Sequence, residues 1–243
     1  MCKFISVLIV LVAPLMIVSS ACGQTDKNVV SSETPAPLVE KGKTLSYNFD
    51  KASAGNLPNK IQGGLTGKGA AGKWEVKTDA TAPSSPNVLA QTSADKTGYR
   101  FPLAIVDEGS FLDLDFSVKF KPVSGKVDQA AGLVWRLKDA NNYYIVRANA
   151  LENNVVMYKV VDGKRSDLPL KGKGKTYGEK ANVPANEWSK LRVVMVGKLA
   201  EIYINDTKLF EVEDETFKDA GKIGLWTKAD SVTYFDDLSV TAK

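Results

Sequence analysis

Tyr143, Arg147 and Asn149 are separated by even numbers of residues, so in an extended segment their side chains leave on one side. An aromatic ring beside Arg and Asn is the chemistry of a sugar site: CH groups of the sugar stack on the ring, and planar donors and acceptors read its hydroxyls. Arg136, on the preceding segment, is expected within reach of the same face, and Glu152, Lys159, Arg165 and Trp226 extend it. The same residues suit a second use as cross-strand pairs, with the arginines laid over the sheet and Trp226 in the core.

Other chemistry is narrower. The chain contains no histidine, which removes the usual general base, the usual zinc ligand and every Ser-His or Cys-His pair. Catalysis would have to run on carboxylates, Lys, Tyr or a bound ion. Asp113 and Asp115 share a face as an acid/base pair would, and also as solvent-facing edge charges do. Asp50, Asp236 and Asp237 fall in the expected first and last strands, which tend to be neighbours. Converging there, they would offer oxygens to calcium; apart, they are solvated edge carboxylates. Gly172-Lys173-Gly174-Lys175-Thr176 ends in Gly-Lys-Thr, but the glycine that a phosphate loop needs five residues earlier is replaced by Pro169.

The 243 residues hold 32 Lys and Arg against 28 Asp and Glu, and the basic residues are scattered, so nucleic acid is not the expected partner. Residues 1–21 read as a signal peptide: Lys3, an apolar run over 4–18, then Ser19, Ser20 and Ala21. The run is shorter than the roughly 20 apolar residues that a permanent span takes. Ser19-Ser20-Ala21-Cys22 resembles a bacterial lipobox, which implies acylation of Cys22 and a membrane tether through lipid. Gly23, where an aspartate would retain the protein, fits an outer-membrane or periplasmic lipoprotein; a plainly secreted chain with an incidental thiol is the alternative. Residues 22–43, with Ser31, Ser32, Thr34, Pro35 and Pro37, have the composition of a flexible linker.

The elements that must position the candidate residues are strands. From residue 45 onward the apolar pattern has period two, over 45–49, 111–120, 132–137, 143–148, 155–161, 191–196, 201–204, 223–227 and 233–240. Turn chemistry joins several of them: Asp139-Ala140-Asn141-Asn142, Asp162-Gly163 and Asn205-Asp206. Hairpins in series without a helical stripe predict an all-β, two-layer antiparallel sandwich over 44–243. The strand at 191–196, apolar on nearly both faces, suits a central place. Residues 56–93, rich in Gly and Pro, read as loop with a short strand at 74–76.

Three phrases carry a family resemblance. Ala131-Gly132-Leu133-Val134-Trp135-Arg136, with Asp139, Asn142-Tyr143-Tyr144 and Arg147, resembles the middle hairpin of concanavalin A-like domains in bacterial exported proteins. Residues 188–194 with 200–205 are similar to a strand pair of those domains. Ile223-Gly224-Leu225-Trp226-Thr227-Lys228, with Phe235-Asp236-Asp237-Leu238, resembles their C-terminal strands. The resemblance covers roughly residues 111–240 and implies a jelly roll. Its relatives include laminin-G-like modules, legume-lectin-like binders, family-16 glucanases and 3-keto-disaccharide hydrolases. Glucanases of family 16 carry Glu-x-Asp-x-x-Glu on one strand face; here Glu211, Glu213, Asp214 and Glu215 have another order and spacing. The expectation is therefore a carbohydrate-binding or structural and interaction domain without catalysis, partnered by a glycan or by protein. A glycoside hydrolase acting on oligosaccharides at the envelope is the alternative.

Overall fold

A computed structural model describes residues 36–243; the signal peptide, Cys22 and the linker up to residue 35 lie outside the described residues. In chain order the strands are β1 (Thr44–Tyr47), β2 (Ile61–Gly67), β3 (Trp74–Thr78), β4 (Asn87–Gln91), β5 (Arg100–Phe111) and β6 (Leu114–Ser124). There follow β7 (Ala130–Asp139), β8 (Asn142–Asn149), β9 (Asn154–Val161), β10 (Lys164–Asp167) and β11 (Glu179–Lys180). The last are β12 (Ser189–Val196), β13 (Leu199–Ile204), β14 (Thr207–Glu213), β15 (Gly221–Trp226) and β16 (Val232–Ala242). The first sheet has the order β14-β13-β12-β6-β16-β4-β3, with β1 also beside β16; the second has β10-β9-β8-β7-β15-β5-β2, with β11 beside β9. Neighbouring strands run antiparallel in both sheets, and the two sheets stack as a jelly-roll, concanavalin A-like sandwich.

Alternation builds the core between the layers. On β8, Tyr144, Val146 and Ala148 point inward; on β9, Val155 and Met157 do; across from them stand Phe116 and Phe120 of β6, Leu191 and Val193 of β12, and Phe235 and Val240 of β16. The opposite parity of the second sheet is apolar too. Phe101, Leu103, Val134, Tyr143, Ile145, Val156, Tyr158 and Trp226 form a second buried cluster on its outer face.

That face is covered because the sheet curls on itself. The Tyr99 hydroxyl, just before β5, donates to Gly163 O at 2.9 Å and accepts from the Arg165 amide at 2.8 Å, tying β5 to the β9–β10 hairpin several strands away in sheet order. Thr66 on the edge strand β2 likewise bonds the Tyr143 hydroxyl of β8 at 2.7 Å and donates to Ala140 O. The result is a trough lined by the outer parity of the second sheet.

The structure departs from the sequence reading in three places. Residues 56–93 hold three strands rather than one. β2 escapes an apolar pattern because Gly63, Gly64 and Gly67 occupy it; at Gly67, with φ of 89°, a Cβ would stand 2.2 Å from Tyr99 O, so the close approach of β2 requires glycine. The segment 111–120 is divided at Leu112 and Asp113, where β5 turns into β6, and β5 itself was hidden by Pro102 and Gly109. β12 packs one side only, with Lys190, Arg192 and Val194 half-exposed outward; strands apolar on both faces are instead β7, β8 and β9. Over its described part the expected linker is tied down: Val39 N donates to Ser110 O, Ser110 N to Pro37 O, and Gly42 N to Ala242 O.

Candidate functional site

The centre of the trough is the outer row of β8. Arg147 stands opposite Gly132 of β7 and Val156 of β9, and Gly132 stands opposite Trp226 of β15. A Cβ at position 132 would lie 3.0 Å from Ile145 Cδ1 and 3.3 Å from Trp226 Cβ, so the bare glycine lets Trp226 and the β8 side chains close together. The Phe101 and Trp226 rings stack with centroids 5.1 Å apart.

Arg147 is fully buried. Its Nη2 donates to Glu152 Oε2 at 3.0 Å and to Asn154 Oδ1 at 2.8 Å, while Nε and Nη1 meet no acceptor among the described residues. The guanidinium lies 5.8 Å from the Tyr158 ring and 5.9 Å from the Tyr177 ring. Asn149 donates to Asp128 Oδ1 at 2.8 Å and to Glu152 Oε1 at 3.2 Å, and its carbonyl oxygen accepts from the amides of Leu151 and Glu152, which shapes the turn carrying Glu152. Lys228 Nζ reaches Asp128 Oδ2 at 2.5 Å.

Burial alone would raise the Glu152 carboxyl, but the hydrogen bond and charge of Arg147 hold it below the usual carboxylate range. Burial would lower Arg147, and Glu152 reverses that. Asp128 is pushed up by burial despite Lys228. Burial also lifts the Tyr143 hydroxyl to about 12 and Tyr158 upward. These groups keep their charges at neutral pH: Glu152 anionic, Arg147 cationic, the tyrosines neutral.

Arg165, from β10, lies over the trough floor, its guanidinium 4.4 Å from the Tyr158 ring, 4.7 Å from Phe101 and 5.7 Å from Trp226. Its Nη1 is buried without an acceptor among the described residues. Tyr177 is half-exposed at the rim and receives the Tyr158 hydroxyl at 2.7 Å. The Trp226 indole N–H approaches the Tyr143 hydroxyl without completing a hydrogen bond.

Six of the expected residues therefore share this face: Tyr143, Arg147, Asn149, Glu152, Arg165 and Trp226. Tyr143 and Trp226 form its buried floor, and Arg147, Asn149 and Glu152 one linked polar group. Arg136 does not join them. A bulge between Trp135 and Asp139 breaks the parity of β7, Arg136 takes φ of 45°, and its side chain turns to the sandwich edge. There it donates to Leu112 O at 2.8 Å, Phe217 O at 2.7 Å, Gly197 O at 2.8 Å and Asp113 Oδ1 at 3.2 Å, beside a cavity of about 270 Å³. Lys159 has the inward parity of β9 and is bound by Asp214 at 2.9 Å and Thr216 at 2.8 Å. Asp128, Asn154, Tyr158, Tyr177 and Lys228 were not singled out from sequence; Tyr158 was within reach of it, two residues from Val156 on a strand of known parity.

The expected calcium carboxylates do not form a cage. β1 does pair with β16, but Asp236 receives Ser84 N at 2.9 Å, Ser84 Oγ at 3.0 Å and Asp237 N at 2.7 Å. Asp237 pairs with Lys119 at 3.0 Å, and Asp50 accepts from Asn87 N at 3.2 Å. Among the described residues no three carboxylates or cysteines gather. Asp113 holds Arg136 and the Gly197 amide, and Asp115 pairs with Arg192, so those two are structural.

A curled antiparallel sandwich with an aromatic, arginine-bearing trough is the class that the fold and site define. The chain belongs to the family of the 3-keto-alpha-glucoside-1,2-lyase-like domain, whose model it matches over residues 64–241. No curated protein sequence matches it. Among solved structures it is similar in fold to the carbohydrate binding module CBM66 from Bacillus subtilis, with a TM-score of 0.56 and 20% identity over 76% of this chain and 98% of that one. The cellulose induced protein Cip1 gives 0.59 and 12% over 82% and 97%. Domain 4 of AbnA, a GH43 extracellular arabinanase from Geobacillus stearothermophilus solved in complex with arabinotriose, gives 0.52 and 15% over 84% and 94%.

Proposed function

We propose that this protein is an exported, lipid-anchored carbohydrate-binding sandwich whose glycan lies in the trough of the second sheet. The observation that carries the proposal is the buried Arg147, held between Glu152, Tyr158 and Tyr177 with two of its nitrogens unpartnered among the described residues. A buried donor without an acceptor costs about 1–3 kcal/mol, and more when charged, which a ligand hydroxyl or carboxylate would offset. Tyr177, Tyr158 and the stacked Phe101–Trp226 pair supply the flat apolar surface beside it. Two of the fold neighbours bear names of saccharide binders, a carbohydrate binding module and a domain complexed with arabinotriose, and this supports the same reading.

The rival is a glycoside hydrolase or lyase. It is favoured by the family description and by one feature: Asp128 and Glu152 both accept from Asn149 Nδ2, yet environment moves their carboxyl groups in opposite directions, as acid/base pairs require. Against it, each carboxylate already holds a cation. Incubating the full-length chain with a glycan array, and analysing the supernatant for released sugar, separates the two. Binding without product is expected. Released product that disappears in Glu152→Gln would establish the enzyme, and absence of any bound glycan would end the proposal. The tether is tested separately by palmitate labelling, which should be lost in Cys22→Ser.

A further inference from the structure

Resting on the glycan reading, we infer that the saccharide taken by this trough is acidic, carrying a carboxylate that meets Arg165 and the open nitrogens of Arg147. The argument is one of charge and donors. Arg147 is balanced by Glu152 at 3.0 Å and Lys228 by Asp128 at 2.5 Å. Arg165 has neither a carboxylate within ion-pair distance nor a side-chain hydrogen bond among the described residues; Asp167, of the same parity on β10, forms no ion pair with it. The other ionisable groups around it, Tyr143, Tyr158 and Tyr177, are neutral phenols. The trough thus keeps one cation in excess.

Arg165 is nevertheless held in place. Three aromatic rings lie within 5.7 Å of its guanidinium carbon, and Tyr99 pins its amide. A ring face attracts the charge but does not accept the in-plane N–H groups, so the fork is preorganised with its donors unspent. Arg147 lies on another side of the same Tyr158 ring, 5.8 Å from its centroid, with Nε and Nη1 equally open. Two guanidiniums that share one ring and lack acceptors fit a planar anion, which accepts bidentately and neutralises; a neutral hydroxyl only accepts. On a saccharide that anion is the carboxylate of a uronic acid.

The test uses the full-length chain and matched pairs of oligosaccharides: oligogalacturonate, oligoglucuronate and alginate oligomers, each with its carboxyl-reduced counterpart of identical linkage. In calorimetric titration the acidic member of at least one pair should bind at least about tenfold tighter than its reduced partner, the size of one charge-assisted hydrogen bond. Added salt should weaken the acidic member more. Arg165→Gln should abolish the preference without lowering the melting temperature. Equal affinity within every pair, a preference for reduced or other neutral glycans, or a preference that survives Arg165→Gln would overturn the inference while leaving the glycan reading intact. Absence of binding to acidic and neutral glycans alike would remove both.

Discussion

Arg136→Met separates a structural arginine from a binding one. The Arg136 side chain is 3% exposed and donates to three carbonyls and one carboxylate that belong to four different segments: Leu112 and Asp113 between β5 and β6, Gly197 between β12 and β13, and Phe217 before β15. Charge-assisted hydrogen bonds contribute about 1.5–3 kcal/mol each, but they do not add here. Asp113 is 26% exposed and Leu112 lies at the surface, so water recovers part of what the guanidinium gave them. Phe217 O is the acceptor left without water. A loss of about 3–5 kcal/mol follows, as for other broken buried pairs. For a domain of this size that is a fall in melting temperature of roughly 6–20 °C. The assay is thermal unfolding of wild type and variant, with glycan affinity measured on the same preparations below the transition. Affinity should be unchanged, because Arg136 faces the sandwich edge and not the trough. A melting temperature within about 2 °C of wild type together with lost affinity would refute this reasoning and return Arg136 to the sugar site.

Asp230 accepts from the amides of Lys126, Val127 and Asp128, and these bonds hold its carboxyl below the usual range although burial opposes them. With the folded pKa below the unfolded one, its stabilisation is present above about pH 4 and is lost as pH falls through the folded value. Asp230→Ala should cost about 2 kcal/mol at neutral pH and flatten the acid side of the stability profile, read by urea titration from pH 7 to pH 3. Tyr99→Phe removes the clamp between Gly163 O and the Arg165 amide; amide hydrogen exchange at Arg165 should accelerate while global stability falls by no more than about 1 kcal/mol. Gly221→Ala would set a Cβ 2.5 Å from Arg136 C and 2.6 Å from Leu137 N, so the β7 bulge cannot persist and soluble yield should collapse. EGTA should leave the melting temperature unchanged, since protein donors already saturate Asp236; stabilisation by added calcium would contradict this.

What the residues disclosed, and what they hid, follows from parity. Period two placed Tyr143, Arg147 and Asn149 on one face because β8 runs without interruption. It misplaced Arg136 because one bulge shifts the register inside β7, and nothing in Trp135-Arg136-Leu137 signals an inserted residue. Lys159 was misread because its parity was not carried through from Met157, an avoidable error. The Asp162-Gly163 and Asn205-Asp206 turns were legible because each takes positive φ, which those residue types tolerate. β2, β5, β10 and β14 were not, because glycine, proline or charge stands where apolar residues would mark a strand. Nor does local pattern reveal curl: Tyr99 meeting Gly163 and Thr66 meeting Tyr143 are contacts between opposite ends of a sheet. The trough they create is the part of the site that only the folded chain displays.

The most direct measurement is a ¹H–¹⁵N shift map of the full-length chain titrated with the tightest glycan from the array. Perturbed signals are predicted over residues 147–154, at Tyr158, Arg165 and Tyr177 and along 226–228, including the Nε–H resonances of Arg147 and Arg165. Perturbations confined to the Arg136 cavity or to the first sheet would show that the trough is packing and that the sugar surface lies elsewhere.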